Sequence, residues 1–362
     1  MRRQGILVCG YYGFGNLGDE AVLAGLLQGL RQAGYTEGTI VMSANPALTE
    51  QEHSVAAILR THLPTVWRAL RQARIFVLGG GSLLQDTTSA RSIVYYLGVH
   101  ALARRAGCRI AWIGQGIGPL RRGWARRWTA QAARQAARVV VRDPLSAQLL
   151  RQWGVPQVQQ GADLSFLLPE ANMVRGWQIL QQLGVERDEM VVAFAPRQWA
   201  AGQESLVESL RQIARYVQKV WGAQVLLLPM QPSRDMILVK EIAAGLSGAV
   251  VLSAPLRVQE VQAVLSCCGL VVGMRLHALM LSAASGVPAL ALSYDPKVRA
   301  FWEQVEPRDV IDLPEVDVGA VQQRLCQIWE QYPALRERVQ AFAEQQRKLA
   351  QCNIEALHQL DS

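Results

Sequence analysis

The sequence predicts an α/β protein of two Rossmann-like domains, each a parallel sheet covered on both faces, facing a central cleft. Three observations predict it. Short apolar runs recur from residue 5 to about 313 of the 362 residues and alternate with helical stretches. The runs are apolar throughout rather than at every second residue, as in strands buried on both sides. The alternation pauses once, at PEANMVRG (169–176), and then restarts.

The first run is GILVCG (5–10), followed by a glycine turn and a stripe of Val22, Leu23, Leu26, Leu27 and Leu30 at helical spacing. Further strands are expected at TIVMSA (39–44), RIFVLGG (74–80), RIAWIG (109–114), RVVVR (138–142) and QVQQGAD (157–163), most of them separated by helices. After the pause come VVAFAP (191–196), AQVLLLPM (223–230), AVVLSA (249–254), GLVVGM (269–274), PALALSY (288–294) and DVIDL (309–313). From Tyr332 to about Leu360 the pattern is one long polar-rich helix. The expected domains are therefore 1–170 and 171–331, with a helix over 332–362 packing back toward the first.

Composition narrows the class. Half the residues are hydrophobic and 18% charged, enough apolar matter for sizeable cores. No apolar run reaches the ~18 residues of a membrane span, and the first residues lead straight into a strand rather than a signal peptide, so a cytoplasmic protein is expected. The six cysteines form no C-x-x-C and the five histidines are scattered, which predicts neither a disulfide framework nor a metal. A G-x-S-x-G elbow for hydrolase chemistry is absent.

Charge is unevenly spread. The net charge is +8, yet between Asp86 and Asp143 there are eleven arginines and no acid. Such a stretch suits an anionic partner. It peaks at LRRGWARRWTAQAARQAAR (120–138), where Trp124 and Trp128 fall one helical turn apart among Arg121, Arg122, Arg126 and Arg127. Two readings stand: peripheral contact with a membrane headgroup layer, or a solvated arginine face with inward tryptophans. Nucleic acid is disfavoured, because no binding motif accompanies the charge.

In open α/β sheets, ligands bind beyond the carboxyl ends of strands, so the residues just after each strand are the informative ones. GYYGFGNLGDE contains G-x-G-x-x-G at Gly13, Gly15 and Gly18. A dinucleotide site needs an acid at the end of the second strand; here that strand ends in Ser43, Ala44 and Asn45. What is left is a turn at a helix N-terminus, suited to an anion or a sugar hydroxyl. Asn16 and Asp19 have the spacing of a capping box, while Asp19 or Glu20 is alternatively a base for an acceptor hydroxyl.

Several of these loops fit together in order: GYYGFGNLGDE, LGGGSLLQD (78–86), IGQGIGPL (113–120), VVVRDPLS (139–146), GADLSFLL (161–168) and MRLHALMLSAASGVPALALSYDPK (274–297). The set resembles the polysaccharide pyruvyl transferase family, most closely its CsaB-type members. The resemblance implies a GT-B-like fold, phosphoenolpyruvate as donor and no separate cofactor. It also implies a sugar acceptor, N-acetylmannosamine of a lipid-linked cell-wall precursor, which becomes a cyclic ketal used in S-layer anchoring.

That chemistry needs a general acid for the enol carbon, cations for two anions, and a base or relay for the hydroxyls. His277, at the start of the helix after GLVVGM, is the expected acid. A helix N-terminus disfavours imidazolium, and a bound dianion favours it. Arg142 ends a strand ahead of an Asp-Pro helix start, where its planar fork suits carboxylate or phosphate. Lys297 follows a second Asp-Pro start, in a first turn whose dipole a phosphate would offset. In the family the equivalents of Arg142, His277 and Lys297 hold or protonate the donor. Arg275 is a second anion contact or the partner of an acid within the fold. Gly15, Asn16, Gly80, Gly81, Ser82, Gln115 and Gly116 are assigned to the acceptor side, with Ser82 expected to cap the following helix. The competing readings are a nucleotide-sugar glycosyltransferase, disfavoured because LMLSAASG lacks a ribose-binding carboxylate, and a non-catalytic polysaccharide-binding protein.

Overall fold

The computed structural model describes residues 5–35, 37–86, 90–198, 203–313 and 316–361. The chain divides into two units. The first comprises Met1–Phe14, Asp19–Pro169 and Gln345–Ser362; the second comprises Gly15–Gly18 and Glu170–Glu344.

The first unit runs β1 (Ile6–Tyr12), α1 (Leu17–Gln32, its first two residues counted with the second unit), β2 (Thr39–Ser43), α2 (Pro46–His53), β3 (Ala56–Leu59), α3 (Leu63–Gln72), β4 (Ile75–Leu84), α4 (Ala90–Ala106), β5 (Arg109–Ile117), α5 (Gly123–Gln135), β6 (Arg138–Val141), α6 (Pro144–Gln152) and β7 (Gln159–Gln160). Its strands form one parallel sheet in the order β3-β2-β1-β4-β5-β6-β7. The order reverses between β1 and β4. The central strands are apolar because helices cover both faces: Val8, Phe76, Val77 and Trp112 are fully buried.

In the second unit α7 (Met173–Gln182), β8 (Val191–Ala195), α8 (Gln203–Trp221), β9 (Gln224–Leu227), α9 (Pro232–Ala244), β10 (Val250–Val251), α10 (Val258–Ser266), β11 (Leu270–Gly273), α11 (Leu276–Ala284), β12 (Ala289–Ser293), α12 (Pro296–Trp302), β13 (Val310–Asp312) and α13 (Val318–Glu330) follow. Its parallel sheet has the order β10-β9-β8-β11-β12-β13, reversing between β8 and β11. The last helix, α14 (Tyr332–Asp361), contributes its end to the first unit: Asn353 donates to the Ala162 carbonyl (3.1 Å), and Arg109 donates to that of Leu360.

Two local expectations are corrected. Strand β3 was not expected from the sequence; its residues are half-buried or exposed, so AAIL lacks the signature of a central strand. The strand expected over 74–80 runs further: β4 carries Gly79, Gly80 and Gly81 and pairs with β5 as far as Leu84↔Ile117. Ser82 therefore sits in a strand and not at a helix cap. The six cysteines are all free.

His100 of α4 is buried under β5, where Trp112 donates its indole N–H to His100 Nδ1 (3.2 Å). Burial, helped by Arg104, pushes its pKa down to about 4. The fold thus holds the neutral ring, and its contribution is full above the unfolded-state pKa of ~6.5 and lost as pH falls toward 4. Relative to His100→Gln, which keeps an acceptor for Trp112, the wild type should lose roughly 3 kcal/mol between pH 7 and pH 4. Denaturant melts of both proteins across that range test this; parallel pH profiles would refute it.

Candidate functional site

Ligands of open α/β sheets gather where strand order reverses, at the carboxyl ends. Both sheets carry their chemistry there. In the first unit the edge is built from the ends of β1, β4, β5 and β6. Helix α1 starts at Leu17, and Asn16 Oδ1 accepts the Gly18 N–H (3.2 Å), so Asn16 occupies the cap position. Glu20 is buried: Oε1 accepts the Gly13 N–H (2.8 Å) and Oε2 meets His53 Nε2 (3.0 Å). Of the two candidate bases, Glu20 is thus committed to tying the glycine turn to α2. Asp19 is half-buried, and a side chain at Gly81 would come within 3.1 Å of its Oδ1. Tyr12 donates to the Gly79 carbonyl (2.8 Å), and burial, with Asp19 beside it, holds its phenol well above the usual range.

Arg142 follows β6 and is buried. Its guanidinium donates to Asp163 Oδ2 (2.9 Å) and Ser82 Oγ (3.0 Å), with Asp143 at 3.6 Å. A Cβ at Gly116 would stand 2.7 Å from Arg142 Nε, so glycine is what lets the guanidinium lie flat on β5. Gln115 is fully buried; its amide donates to the Leu78 carbonyl (2.9 Å), while Oε1 has no hydrogen-bond partner. Asp19 and Gly81 thus meet at one point of this edge, and Ser82, Arg142 and Gly116 at another.

Among the described residues, Glu20, Glu52 and His53 bring potential ligand atoms within 4.8 Å of one another. Both oxygens of Glu20 are already engaged by Gly13 and His53, which makes the group a carboxylate–imidazole tether for the loop rather than an open metal cradle.

In the second unit four basic residues follow β8, β11 and β12, two of them before a helix and two in first helical turns. Arg275 pairs with the fully buried Asp235 in the first turn of α9, which also accepts the Gln231 N–H (2.8 Å). Of the two readings for Arg275, the pairing with an acid is present. Its Nε is nonetheless buried without a hydrogen-bond partner. Arg197 donates to the Tyr294 hydroxyl and lies 4.6 Å from the centre of its ring. Burial raises the Tyr294 pKa, with Arg197 and Arg275 acting against that rise, so both cations act on the same phenol. His277 is the second residue of α11, half-buried; a Cβ on Gly18 would lie 2.4 Å from its Nδ1. Leu17 N–H donates to the Met230 carbonyl (3.0 Å). Lys297 is half-buried in the first turn of α12, its N–H donated to Asp295 Oδ1 (2.9 Å). The donor set expected from the sequence is therefore divided: Arg142 belongs to the first unit, and Arg275, His277 and Lys297 to the second.

A family model described as polysaccharide pyruvyl transferase matches residues 16–296. The chain belongs to the polysaccharide pyruvyl transferase family. As a member of that family it carries Asn16, Asp19, Glu20, Arg142, Arg275 and His277 within the match, while Gly15 and Lys297 lie just outside its two ends. Solved structures show the fold shared with GT-B proteins. The UDP-GlcNAc 2-epimerase from Neisseria meningitidis has 11% identity and a TM-score of 0.65, over 98% of this chain and 100% of that one. A glycosyltransferase from Rickettsia africae has 10% identity and a TM-score of 0.61, over 100% and 98%. MnaA from S. aureus has 13% identity and a TM-score of 0.61, over 96% and 94%.

Sequence reasoning missed Arg197 and Arg60. Arg197 stands two residues after β8, and the rule that selected Arg142 and Arg275 would have selected it. Arg60, buried after β3, donates to the Gly10 carbonyl (3.0 Å) and the Tyr96 hydroxyl (3.3 Å) and faces Tyr95 at 4.2 Å and Phe14 at 5.2 Å. It is held by carbonyls and ring faces, and no signal in the sequence marks it, because β3 itself was not legible.

Proposed function

We propose that this member of the family transfers the pyruvyl group of phosphoenolpyruvate to a sugar diol as a cyclic ketal, releasing phosphate. The observation that supports it best is the edge of the second sheet, where Arg197, Arg275 and Lys297 accompany one imidazole, His277. Arg197 and Lys297, with Arg275 held in place by Asp235, suit a donor with a carboxylate and a phosphate on three carbons. The acid-free helix α11 offers a nucleotide-sugar ribose no carboxylate.

In this reading the His277 imidazolium gives its proton to the methylene carbon, which becomes the methyl group. The cationic central carbon takes a first sugar hydroxyl, whose proton passes to a base. The C–O bond to phosphate then breaks as the second hydroxyl attacks, and that hydroxyl's proton balances the departing phosphate. Glu20, held by Gly13 and His53, is not assigned the role of that base. The acceptor is N-acetylmannosamine of a lipid-linked wall precursor, and no further cofactor takes part.

Incubation with phosphoenolpyruvate and a panel of synthetic lipid-linked disaccharides tests the reading. Phosphate release together with a pyruvyl mass gain on one acceptor supports it. UDP release from a nucleotide sugar, with phosphoenolpyruvate inert, would replace it with the glycosyltransferase reading. Arg197→Ala and Lys297→Ala should each weaken phosphoenolpyruvate binding about 10- to 100-fold in calorimetric titrations, the worth of one charged hydrogen bond. Unchanged affinity in either variant removes that residue from the donor site.

A further inference from the structure

We propose that α3, α4 and α5 of the first unit form a surface that docks on the headgroup layer of an anionic phospholipid bilayer. The proposal rests on charge and geometry, not on the reaction assigned above. From His53 to Arg142 the chain has fifteen arginines, no lysine and one acid, Asp86. That acid is buried, and its two carboxylate oxygens accept the N–H groups of Arg121 (2.7 Å) and Arg122 (2.9 Å). This stretch alone carries a formal +14 in a chain whose net charge is +8, so the remaining residues are net acidic. The imbalance belongs to this stretch and not to the protein as a whole.

The fold brings part of that charge to one face. Helices α3 and α4 touch, as do α4 and α5, which places the three side by side. The strands are parallel, so all three helices begin at the carboxyl edge of the sheet, where Asp19 and Ser82 lie. Near those beginnings Arg68, Arg91, Arg121, Arg126 and Arg127 are exposed. Large apolar side chains stand among them: Leu63 is 60% exposed, Val94 52%, Trp128 50% and Trp67 36%. Trp124, half-buried against the core, supports Trp128 edge-on at 5.0 Å between ring centres, so that ring is held outward. Arginines interleaved with outward tryptophans match a layer that is anionic outside and apolar beneath. A solvated cationic face needs no exposed tryptophans, and a duplex-binding face would not gain from them. No helix among the described residues is long and apolar enough to cross a membrane, so the contact is peripheral.

The test is co-sedimentation with phosphatidylcholine vesicles and with phosphatidylcholine–phosphatidylglycerol vesicles, at low and high salt. Wild type should bind the anionic vesicles, and salt should weaken that binding. Arg68→Gln/Arg121→Gln/Arg127→Gln should lower the partition coefficient on the order of a hundredfold. Trp67→Ser/Trp128→Ser should lose most of the binding that survives high salt. Both variants should keep wild-type melting and wild-type turnover on a soluble acceptor, a readout that separates this proposal from the reaction. Absence of wild-type binding overturns the proposal, as does equal binding to neutral vesicles, an unaffected arginine variant, or displacement from vesicles by duplex DNA.

Discussion

His277→Gln is expected to lower kcat by ~10²–10⁴, with the affinity for phosphoenolpyruvate, read by titration, changing about threefold or less. The argument starts from position. His277 is the second residue of α11, just after a strand at the point where the second sheet reverses its order. Arg275 precedes it by two residues and is fixed by the buried Asp235. Arg197 sits on the neighbouring strand end, against Tyr294. In the proposed reaction these cations would bind charge that exists before and after the chemistry, and so set affinity. The imidazole would have a proton to deliver only during the chemistry, so its loss should fall on turnover. Glutamine keeps the size and polarity of the side chain, which limits collateral effects on packing. The direct check is isotopic: in D2O the wild type should place one deuterium in the pyruvyl methyl group. A variant within about threefold of the wild-type rate would show that the enol carbon receives its proton from another group.

Much of this arrangement could be read without coordinates. Strands buried on both faces announce themselves as apolar runs, and VVAF, LVVG and ALALS lie where the second sheet has β8, β11 and β12. Asp-Pro starts located α6 and α12, because aspartate caps and proline opens a helix, as Asp143 and Asp295 do. What stayed hidden depends on pairing between distant segments. The strand expected over 74–80 gave no sign of its extension through Gly81 to Leu84, which only the register with β5 shows. Asp235 looks like an ordinary first-turn acid until α9 brings it to Arg275. Arg142 reads as a strand-end cation, and only the fold shows that Asp163 and Ser82 take its donors.

The second large effect concerns that buried pair. Asp163→Ala should destabilise the first unit by about 3–5 kcal/mol, a fall of roughly 10 °C in its melting temperature. Asp163 is buried, its Oδ1 accepts the Ser165 N–H (3.0 Å), and its Oδ2 receives Arg142. Alanine removes one cap and leaves a guanidinium whose side chain is 2% exposed facing only Ser82 and the more distant Asp143. Most of the cost is the stranded charge, so removing the charge should recover part of it. Arg142→Met/Asp163→Ala is therefore expected to melt above Asp163→Ala, with a clearly non-additive cycle. The same cycle bears on the donor role that sequence reasoning gave Arg142. If Asp163→Ala costs less than about 1 kcal/mol, the guanidinium is not held by this pair. An arginine free to swing is one that can reach a phosphate, and Arg142→Met would then weaken phosphoenolpyruvate binding. If the cost is large and the cycle non-additive, Arg142 belongs to the wall of the site, fixing Ser82 and the Gly116 strand, and phosphoenolpyruvate affinity in Arg142→Met should follow stability rather than charge.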